Sequence, residues 1–448
     1  MAEGPDRRGA QLADGRPPGA RAPRRWKPSL IRSWAHTTFS ALETPNFRRY
    51  LTGQSVSLVG TWMQTVALGW LVLQLTGSGT ALGAVVAAQF LPILLLGPYG
   101  GLIADRMNKR RVLMTTQAIL GLTALTLGLL VITGAVQLWM VVLVAVVFGL
   151  VTACDNPARQ AFSLEMVGAE QLRNAVSLNS VMVNVARAVG PAVAGALIAA
   201  TGTGICFLVN AASYAAVLLA LGTMTVADLH PTPSARREPG QVRQGLRYVA
   251  RTPELLVPLV MLALIGTLAY EFQVVLPLLA TGPFQGDAAT YGILTSAMGA
   301  GAIVGGLVVA GHGRTGLRPL TLAVLVFGAA MLAVAASPTL PVAVVALAAT
   351  GAASITFLAT GNTTLQLNSD PRFRGRVMAL WTVAFLGSTP IGAPILGWIS
   401  QELGARAGLV TGGLTCLVAA SIGAIALSRA SSRRSGRAPR PAARTTGP

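Results

Sequence analysis

The chain has 448 residues, of which 53% are hydrophobic and only 11% are charged, and its mean hydropathy is +0.62. Soluble domains carry roughly 25% charged residues, so this composition excludes an ordinary soluble protein and indicates a polytopic membrane protein. The net charge of +19 does not point to nucleic acid as a partner, because no basic face interleaved with aromatic residues occurs.

Apolar stretches follow one another along most of the chain. A tail at residues 1–44, rich in Arg, Pro and Gly, cannot bury enough apolar surface to fold and is predicted to be disordered. Another disordered basic tail is expected at 429–448. Between the tails the sequence predicts twelve transmembrane helices, at 53–75, 81–103, 112–132, 138–156, 175–200, 204–226, 256–280, 290–310, 319–336, 341–365, 377–400 and 407–428.

The basic residues are segregated between alternate connections. All of the 34 lysines and arginines except Arg187 and Arg406 lie before the first span, after the last span or in every second loop. Loops rich in Lys and Arg stay on the cytoplasmic side of a membrane. The pattern therefore predicts an even number of spans, both termini in the cytoplasm, and a location in the plasma membrane of a bacterium.

The second part of the chain repeats the first. The segment from Gly190 to Gly195 resembles the one from Gly392 to Gly397, and Gly100-Gly101-Leu102 resembles Gly305-Gly306-Leu307. The repeats predict two pseudo-symmetric six-helix halves at 45–227 and 254–428, joined by a basic linker at 228–253. Transporters built from parallel repeats bind substrate between the repeats near the bilayer midplane.

The connection between the second and third spans carries a recognisable motif. Its residues Gly101-x-x-x-Asp105-Arg106-x-Asn108-Lys109-Arg110-Arg111 resemble the loop signature of the major facilitator superfamily, with Asn108 where Gly is usual. The resemblance implies that Asp105 holds the cytoplasmic side shut by contacting the other half. Alternatively, its charges only mark the membrane boundary. The residues expected in this gating motif are Gly101, Asp105, Arg106, Arg110 and Arg111.

Three further blocks resemble one branch of that superfamily, which includes the enterobactin exporter and macrolide efflux pumps. They are 47–54, 75–78 and 155–160. The resemblance implies secondary active export of a siderophore-like or antibiotic-like small molecule, by proton antiport and alternating access, in a monomer. An importer of the same fold, or a membrane sensor or enzyme that moves no substrate, remain alternatives.

Glu271 lies about midway along the predicted seventh span, with no basic residue near it in sequence. An intramembrane carboxylate costs at least about 2.5 kcal/mol, so it should face a cavity, pair with a base or stay protonated. We expect Glu271 to be the proton-coupling residue. It could instead be a structural partner of Arg187 or a residue facing the outer vestibule.

Arg187 is the only basic residue inside a predicted span, on a polar face of the fifth span that also carries Asn184. Such a face must meet protein or water. We expect Arg187 either to bind an anionic substrate or tune the carboxylate, or to be a helix-packing strut beside Gly190 and Gly195.

Other polar and aromatic residues are candidates too, since the resemblance places the first, fourth, seventh and tenth spans around a central cavity and aromatic rings could offer stacking surfaces. The remaining candidates for substrate contact are Gln64, Tyr270, Gln366 and Trp381. Interhelical hydrogen bonding or ordinary packing is the alternative for each of them. No nucleotide-binding loop, metal-ligand spacing or catalytic motif occurs, so we expect no cofactor, no metal and no enzymatic activity.

Overall fold

The computed structural model describes residues 39–230, 241–312 and 315–435. Within these ranges the chain is helical apart from short connections, and no strand occurs. The predicted tails lie largely outside the described residues, although a 3-10 turn, Ser40–Glu43, precedes the first long helix. There the Ala41 amide donates a hydrogen bond to the Asn174 side chain (3.1 Å).

The first six spans are built from long apolar helices. They are α1 (Pro45–Thr76), α2 (Gly79–Arg106), α3 (Lys109–Ile132), a helical stretch Leu138–Thr201 and α6 (Thr203–Gly222). Apolar side chains cover most of their surfaces, which is typical of helices surrounded by lipid and by other helices. α1 begins at a proline and ends at Gly77, whose φ of 61° terminates the helix by the usual left-handed route.

The stretch Leu138–Thr201 has 64 residues, which at 1.5 Å per residue would be roughly 96 Å long, about three times the bilayer core. It is divided at Gly168, whose φ of 71° and ψ of 176° are not helical. We therefore name two helices, α4 at 138–167 and α5 at 169–201. Each is long enough to be one span.

The remaining helices include one short linker helix and six further spans. They are α7 (Gln241–Ala250), α8 (Pro253–Leu268), α9 (Phe272–Thr281), α10 (Ala288–His312), α11 (Leu317–Ala335), α12 (Leu340–Asn368), α13 (Arg374–Leu386), α14 (Thr389–Glu402) and α15 (Ala405–Ser435). The seventh span is discontinuous, because α8 and α9 are separated by 269–271. The eleventh is likewise divided between α13 and α14.

Eleven helical stretches among the described residues are long and apolar enough to cross a membrane. One of them is the stretch divided at Gly168, which supplies two spans. The predicted all-α fold with twelve spans is thus confirmed. The seventh and eleventh spans differ from the expectation of continuous helices, because each is interrupted near its middle.

Successive spans run in opposite directions, so the connections alternate between two ends of the bundle. We call the end that carries the Asn108 loop, Gly168 and α7 the basic end, and the end that carries Gly77 and Gly202 the opposite end. At the opposite end, Arg406 donates to the Ser337 carbonyl (2.9 Å) and so links two neighbouring loops.

Packing between the first six and the last six spans is concentrated in a few helix pairs. α5 packs against α10, α2 packs against α14, and α9 contacts both α1 and α2. Glycines make these close approaches possible. A Cβ built on Gly195 would lie 2.9 Å from the Ala288 carbonyl oxygen, a distance that real Cβ atoms essentially never show. The cavity described below lies between these two sets of spans.

Candidate functional site

A cavity of about 260 Å³ lies between the first six and the last six spans. Spans 1, 2, 5, 7, 8, 10 and 11 all contribute to its wall. Its polar lining consists of Thr65, Arg187, Glu271, Gln273, Thr295 and Thr389, and its aromatic lining of Trp62, Phe90, Tyr270, Phe272, Tyr291 and Phe385. A concave, largely apolar site with a few converging polar groups is the usual form of a small-molecule site.

Glu271 reaches this cavity from the break in the seventh span. It stands immediately before α9, and the amides of Val274 and Val275 bond to its backbone carbonyl (3.0 and 3.1 Å). Glu271 is only 4% exposed, yet its buried carboxyl oxygen Oε1 has no hydrogen-bond partner. The side chain of Thr389, at the start of α14, interacts with the same carboxyl group. The helix amino terminus favours negative charge at this position.

The break in the seventh span is packed against the break in the eleventh. A Cβ built on Gly392 of α14 would lie 3.1 Å from Glu271 Oε1, and one built on Gly266 of α8 would lie 2.7 Å from Ser388 Oγ. Interrupted helices at membrane depth are tolerated only where they are buried in protein or line a cavity. The two interruptions therefore bring main-chain polar groups to the cavity wall.

Arg187 enters the cavity from α5. Its guanidinium carbon lies 5.4 Å from the centre of the Trp62 ring, over the face of that ring. Among the described residues it has neither an ion pair nor a hydrogen bond. In particular, no ion pair joins it to Glu271, although both line the same cavity. The packing alternative also has support, because a Cβ built on Gly190 would lie 2.6 Å from the Trp62 Cβ.

Tyr270 is the third sequence-predicted residue in the cavity wall. Its hydroxyl donates to the Ser354 carbonyl (3.0 Å), and its ring meets Phe385 edge to face with centroids 5.0 Å apart. Tyr270 is held in place by a polar and an aromatic contact at once, which suits an aromatic residue with a polar tip.

The other predicted substrate contacts lie away from the cavity. Gln64 accepts a hydrogen bond from Asn210 of α6 (2.5 Å), and Asn184 donates to the Ser180 carbonyl within α5 (2.8 Å). Gln366 is exposed near the basic end and donates to Asn362 (2.6 Å). These placements favour the alternative of ordinary hydrogen bonding within and between helices.

Trp381 is buried in packing between α13 and α12. A Cβ built on Gly361 would lie 2.9 Å from its ring, and the residue is not part of the cavity wall. The placement favours the packing alternative for Trp381 too.

The predicted gating motif is described only in part. The surroundings of Gly101 and of the Asp105 side chain lie outside the described set, and Arg106 is exposed. Arg110 donates to the carbonyls of Leu221 and Gly222 at the end of α6 (2.7 and 3.1 Å). Those carbonyls have no intrahelical partner, and a cation there also complements the helix dipole.

The loop start carries two further contacts. The Asn108 side chain accepts from the Arg111 amide (3.1 Å) and so caps α3. Lys109 pairs with Glu165 of α4 (2.9 Å). Arg110 therefore binds the end of α6, Lys109 binds α4, and the backbone amide of Arg111 is capped by Asn108.

At the opposite end, contacts join the first six and the last six spans. Ser78 donates to Gln401 (2.6 Å), which also accepts from the Thr80 amide (3.1 Å). A Cβ built on Gly79 would lie 2.9 Å from the Gly397 carbonyl oxygen. Between described residues at the basic end, no hydrogen bond or ion pair joins the two sets.

Several cavity residues were not found from the sequence, among them Trp62, Gln273 and Thr389. The sequence Gly387-Ser388-Thr389-Pro390 within a predicted span is a turn-like signal, and it could have indicated the break that places Thr389. No sequence signal links Trp62 to Arg187, because the two lie on different helices whose contact depends on the fold.

Known proteins similar to this chain are transporters. A family model described as transmembrane secretion effector matches residues 36–440. The chain is 27% identical to the enterobactin exporter EntS of Escherichia coli O1:K1 / APEC over 380 residues, covering 83% of this chain and 89% of that protein. It is 28% identical to the staphyloferrin A transporter of Staphylococcus aureus (strain NCTC 8325 / PS 47) over 262 residues, covering 58% of this chain and 66% of that protein.

Solved structures of the same fold are more distant in sequence. A bacterial homolog of the human lysosomal transporter Spinster, inward-facing and unoccupied, is 15% identical with a TM-score of 0.69, covering 85% of this chain and 96% of that chain. The nucleoside transporter NupG is 13% identical with a TM-score of 0.68, covering 86% and 98%. At such identities the likeness shows the fold alone.

The family assignment confirms two expectations from the sequence, namely the resemblance to the major facilitator superfamily and a role other than catalysis, since proteins of this family are transporters. It also confirms a multi-pass membrane protein that transports small molecules. Because the family model covers most of the chain and the fold agrees with it, the protein belongs to the transmembrane secretion effector family of the major facilitator superfamily.

Proposed function

We propose that this transporter is a proton-coupled exporter of a small organic molecule in the plasma membrane of a bacterium. The observation that carries the proposal is the buried carboxyl group of Glu271, which lines the cavity with one oxygen unpartnered. Such a group can take up a proton without breaking an ion pair, and an intramembrane carboxylate is by default a functional residue. Glu271 is the proposed proton carrier.

Alternating access supplies the movement. The first six spans (45–227) and the last six (254–428) form two halves that rock about the cavity, and the contacts at the opposite end separate when the basic end closes. Asp105 and the rest of its motif stabilise the closed state of the basic end. The small-residue contacts of Gly79 with Gly397, and the absence of hydrogen bonds between described residues at the basic end, support two discrete states.

The basic end is the cytoplasmic end, so both termini are cytoplasmic and the described state is open toward the inside. The segregation of Lys and Arg supports this orientation. A cysteine introduced at exposed Met107 should react with an impermeant reagent in inside-out vesicles and not in intact cells. A cysteine at exposed Leu403 should behave in the opposite way, and equal labelling of both would contradict the orientation.

Export is proposed because the similar proteins include an enterobactin exporter, and its name, with that of the staphyloferrin A transporter, favours a siderophore-like substrate over an antibiotic-like one. The test uses inside-out vesicles with an acidic interior, and radiolabelled enterobactin and erythromycin as probes. We expect one probe to accumulate and to leave when a protonophore is added. Accumulation only in right-side-out vesicles with the gradient directed inward would instead show import.

Coupling through Glu271 is tested with Glu271→Gln in the same vesicles. Gradient-driven accumulation should be lost, whereas exchange of labelled for unlabelled probe, which needs no net proton movement, should persist. The matched control is Glu254→Gln, an exposed carboxylate at the start of the same span, which should accumulate the probe normally. Unchanged pH-driven accumulation by Glu271→Gln would remove Glu271 from the mechanism.

A further inference from the structure

The cavity contains one permanently charged group whose charge no described residue balances. Arg187 lines the cavity from α5, where its guanidinium lies 5.4 Å from the Trp62 ring and interacts electrostatically with the Tyr270 side chain, a phenol that is neutral at pH 7. The carboxyl group of Glu271 lines the same cavity but makes no ion pair with it. A guanidinium carries five N–H donors and is not deprotonated in proteins, so several donors remain available to the cavity.

Arg159, another partly buried arginine among the described residues, has a charged partner. Arg159 of α4 forms an ion pair with Asp155, a residue that is 3% exposed. Asp155 also accepts from Thr116 and Gln117 (2.6 and 2.9 Å). A buried structural charge is normally paired and hydrogen-bonded in this way, because an unpaired charge at membrane depth is strongly destabilising. Arg187 lacks such an arrangement.

The stacking on Trp62 does not replace an anion. A cation over an aromatic face is attracted to the ring, but this attraction offsets only part of the cost of an unpaired charge and uses none of the N–H donors. The stack does fix the plane of the guanidinium, and a fixed planar fork matches the two oxygens of a carboxylate. Trp62 therefore orients Arg187 for an anionic group in the cavity.

The rest of the cavity wall indicates what kind of molecule carries the anionic group. Phe90 on α2, Tyr270 in the break of the seventh span, Tyr291 on α10 and Phe385 on α13 line the cavity with aromatic rings from four different spans. Ring surfaces favour apolar and aromatic ligands, and Thr65 and Thr295 add only isolated hydroxyl groups.

We propose that the cavity selects organic anions, in which a carboxylate or phenolate accepts hydrogen bonds from Arg187 while a ring-bearing apolar body packs against the aromatic wall. This inference rests on the proposed function, because it names the substrate class of the transport cavity. The anion then binds to Arg187 and the proton binds to Glu271, so the cavity can hold both at once.

The test measures binding without any gradient. Purified full-length protein in lipid nanodiscs is dialysed against 1-naphthoate, 1-naphthamide or 1-naphthylmethylammonium, which share a ring system and differ in charge. We expect wild-type protein to bind naphthoate about tenfold or more tightly than either other probe, because charge-assisted bidentate hydrogen bonds add affinity only for the carboxylate. Arg187→Gln should bind naphthoate as weakly as the amide, with amide binding unchanged.

Two variants are matched to the test. Arg187→Lys keeps the charge without the planar fork and should retain part of the preference. Arg406→Gln removes an arginine outside the cavity, at the opposite end, and should leave all three affinities unchanged. If Arg187→Gln does not fold, the wild-type ranking of the three probes decides by itself, since equal affinities overturn the inference.

The outcomes separate this inference from the proposed function. Preference for the ammonium probe, or unchanged naphthoate binding by Arg187→Gln, overturns the inference even if proton-driven export is observed. Selective naphthoate binding that depends on Arg187, in a protein that accumulates no probe under a proton gradient, supports the anion site and contradicts proton-coupled export.

Discussion

Buried charged residues in this protein fall into two groups according to the partners around them. Asp155 accepts hydrogen bonds from Thr116 and Gln117 and pairs with Arg159, so its charge is neutralised within the first six spans. Glu271 and Arg187 line the cavity without forming an ion pair with each other. The first arrangement stabilises the fold, whereas the second leaves polar capacity for a proton and a ligand.

A residue outside the membrane gives a direct test of local energetics. Asp287 precedes α10, and its carboxylate accepts a hydrogen bond from the Thr290 amide (3.0 Å), as a helix cap does. That backbone hydrogen bond holds the pKa of the exposed Asp287 carboxyl below its usual value. Asp287→Ala should lower the unfolding free energy by about 0.5–2 kcal/mol at neutral pH, measured by thermal unfolding in detergent.

The pH dependence of this contribution has a definite sign. Because the pKa is lower in the folded state, the stabilisation is present above the unfolded-state pKa and is lost as pH falls through the folded-state value. The difference between wild type and Asp287→Ala should therefore shrink in acid. Asp287→Asn keeps an acceptor at the cap without titrating, so its contribution should not vary with pH. If Asp287→Ala lowered the unfolding free energy equally at neutral and at acidic pH, the Asp287 carboxylate would not be the group that caps α10.

At the scale of elements, interruptions of the helices set the length of the spans and bring Glu271 to the cavity wall. Gly168 separates α4 from α5, and the breaks at 269–271 and 387–388 lie against each other beside the cavity. Without the first break, Leu138–Thr201 would be one rod far longer than the bilayer. Without the second, Glu271 would lie inside a continuous helix rather than at a helix amino terminus.

Glycine is required at position 168 because of its backbone conformation, not because space for a side chain is lacking. Its φ of 71° with ψ of 176° is a combination open essentially to glycine alone, while the nearest atom to a built Cβ is 4.0 Å away. Gly168→Ala should therefore cost about 1–3 kcal/mol of stability through backbone strain alone. Thermal unfolding of the purified protein measures it.

Gly222→Ala is the matched control for that measurement. Gly222 also has open space around a built Cβ but no positive φ, so the substitution should change the unfolding temperature little. Equal effects of the two substitutions would show that the backbone conformation of Gly168 is not what destabilises the variant.

At the scale of the whole molecule, the proposed alternating access predicts that the contacts at the opposite end hold that end of the cavity closed. α2 crosses α14 at Gly83, where a built Cβ would lie 2.9 Å from the Cα of Pro394 and closer still to the Ala393 carbonyl. A methyl group there must push the two helices apart. Overpacking of this kind costs about 1–3 kcal/mol, which shifts a two-state ratio by about 5- to 150-fold.

Gly83→Ala should therefore expose the cavity from the opposite end. The measurement is the rate at which an impermeant thiol reagent, added to intact cells, modifies a cysteine at Thr65 in a background without the three native cysteines. We expect a faster reaction than with Gly83 intact. Gly97→Ala, on the same helix with open space around its built Cβ, should leave the rate unchanged. If Gly83→Ala did not increase the rate of modification, the crossing of α2 and α14 would not be what holds the opposite end closed.

The sequence by itself determined the spans, because apolar length and the cost of unpaired backbone groups in lipid allow few other structures. It also singled out Glu271, Arg187 and Tyr270, since polar groups within apolar runs are conspicuous. Only the tertiary structure decided which polar faces meet the cavity. Gln64 turns to Asn210, while Trp62, about half a turn away on α1, meets Arg187. Helix rotation and the breaks at Glu271 and Ser388 depend on packing between distant segments, which periodicity within one segment does not record.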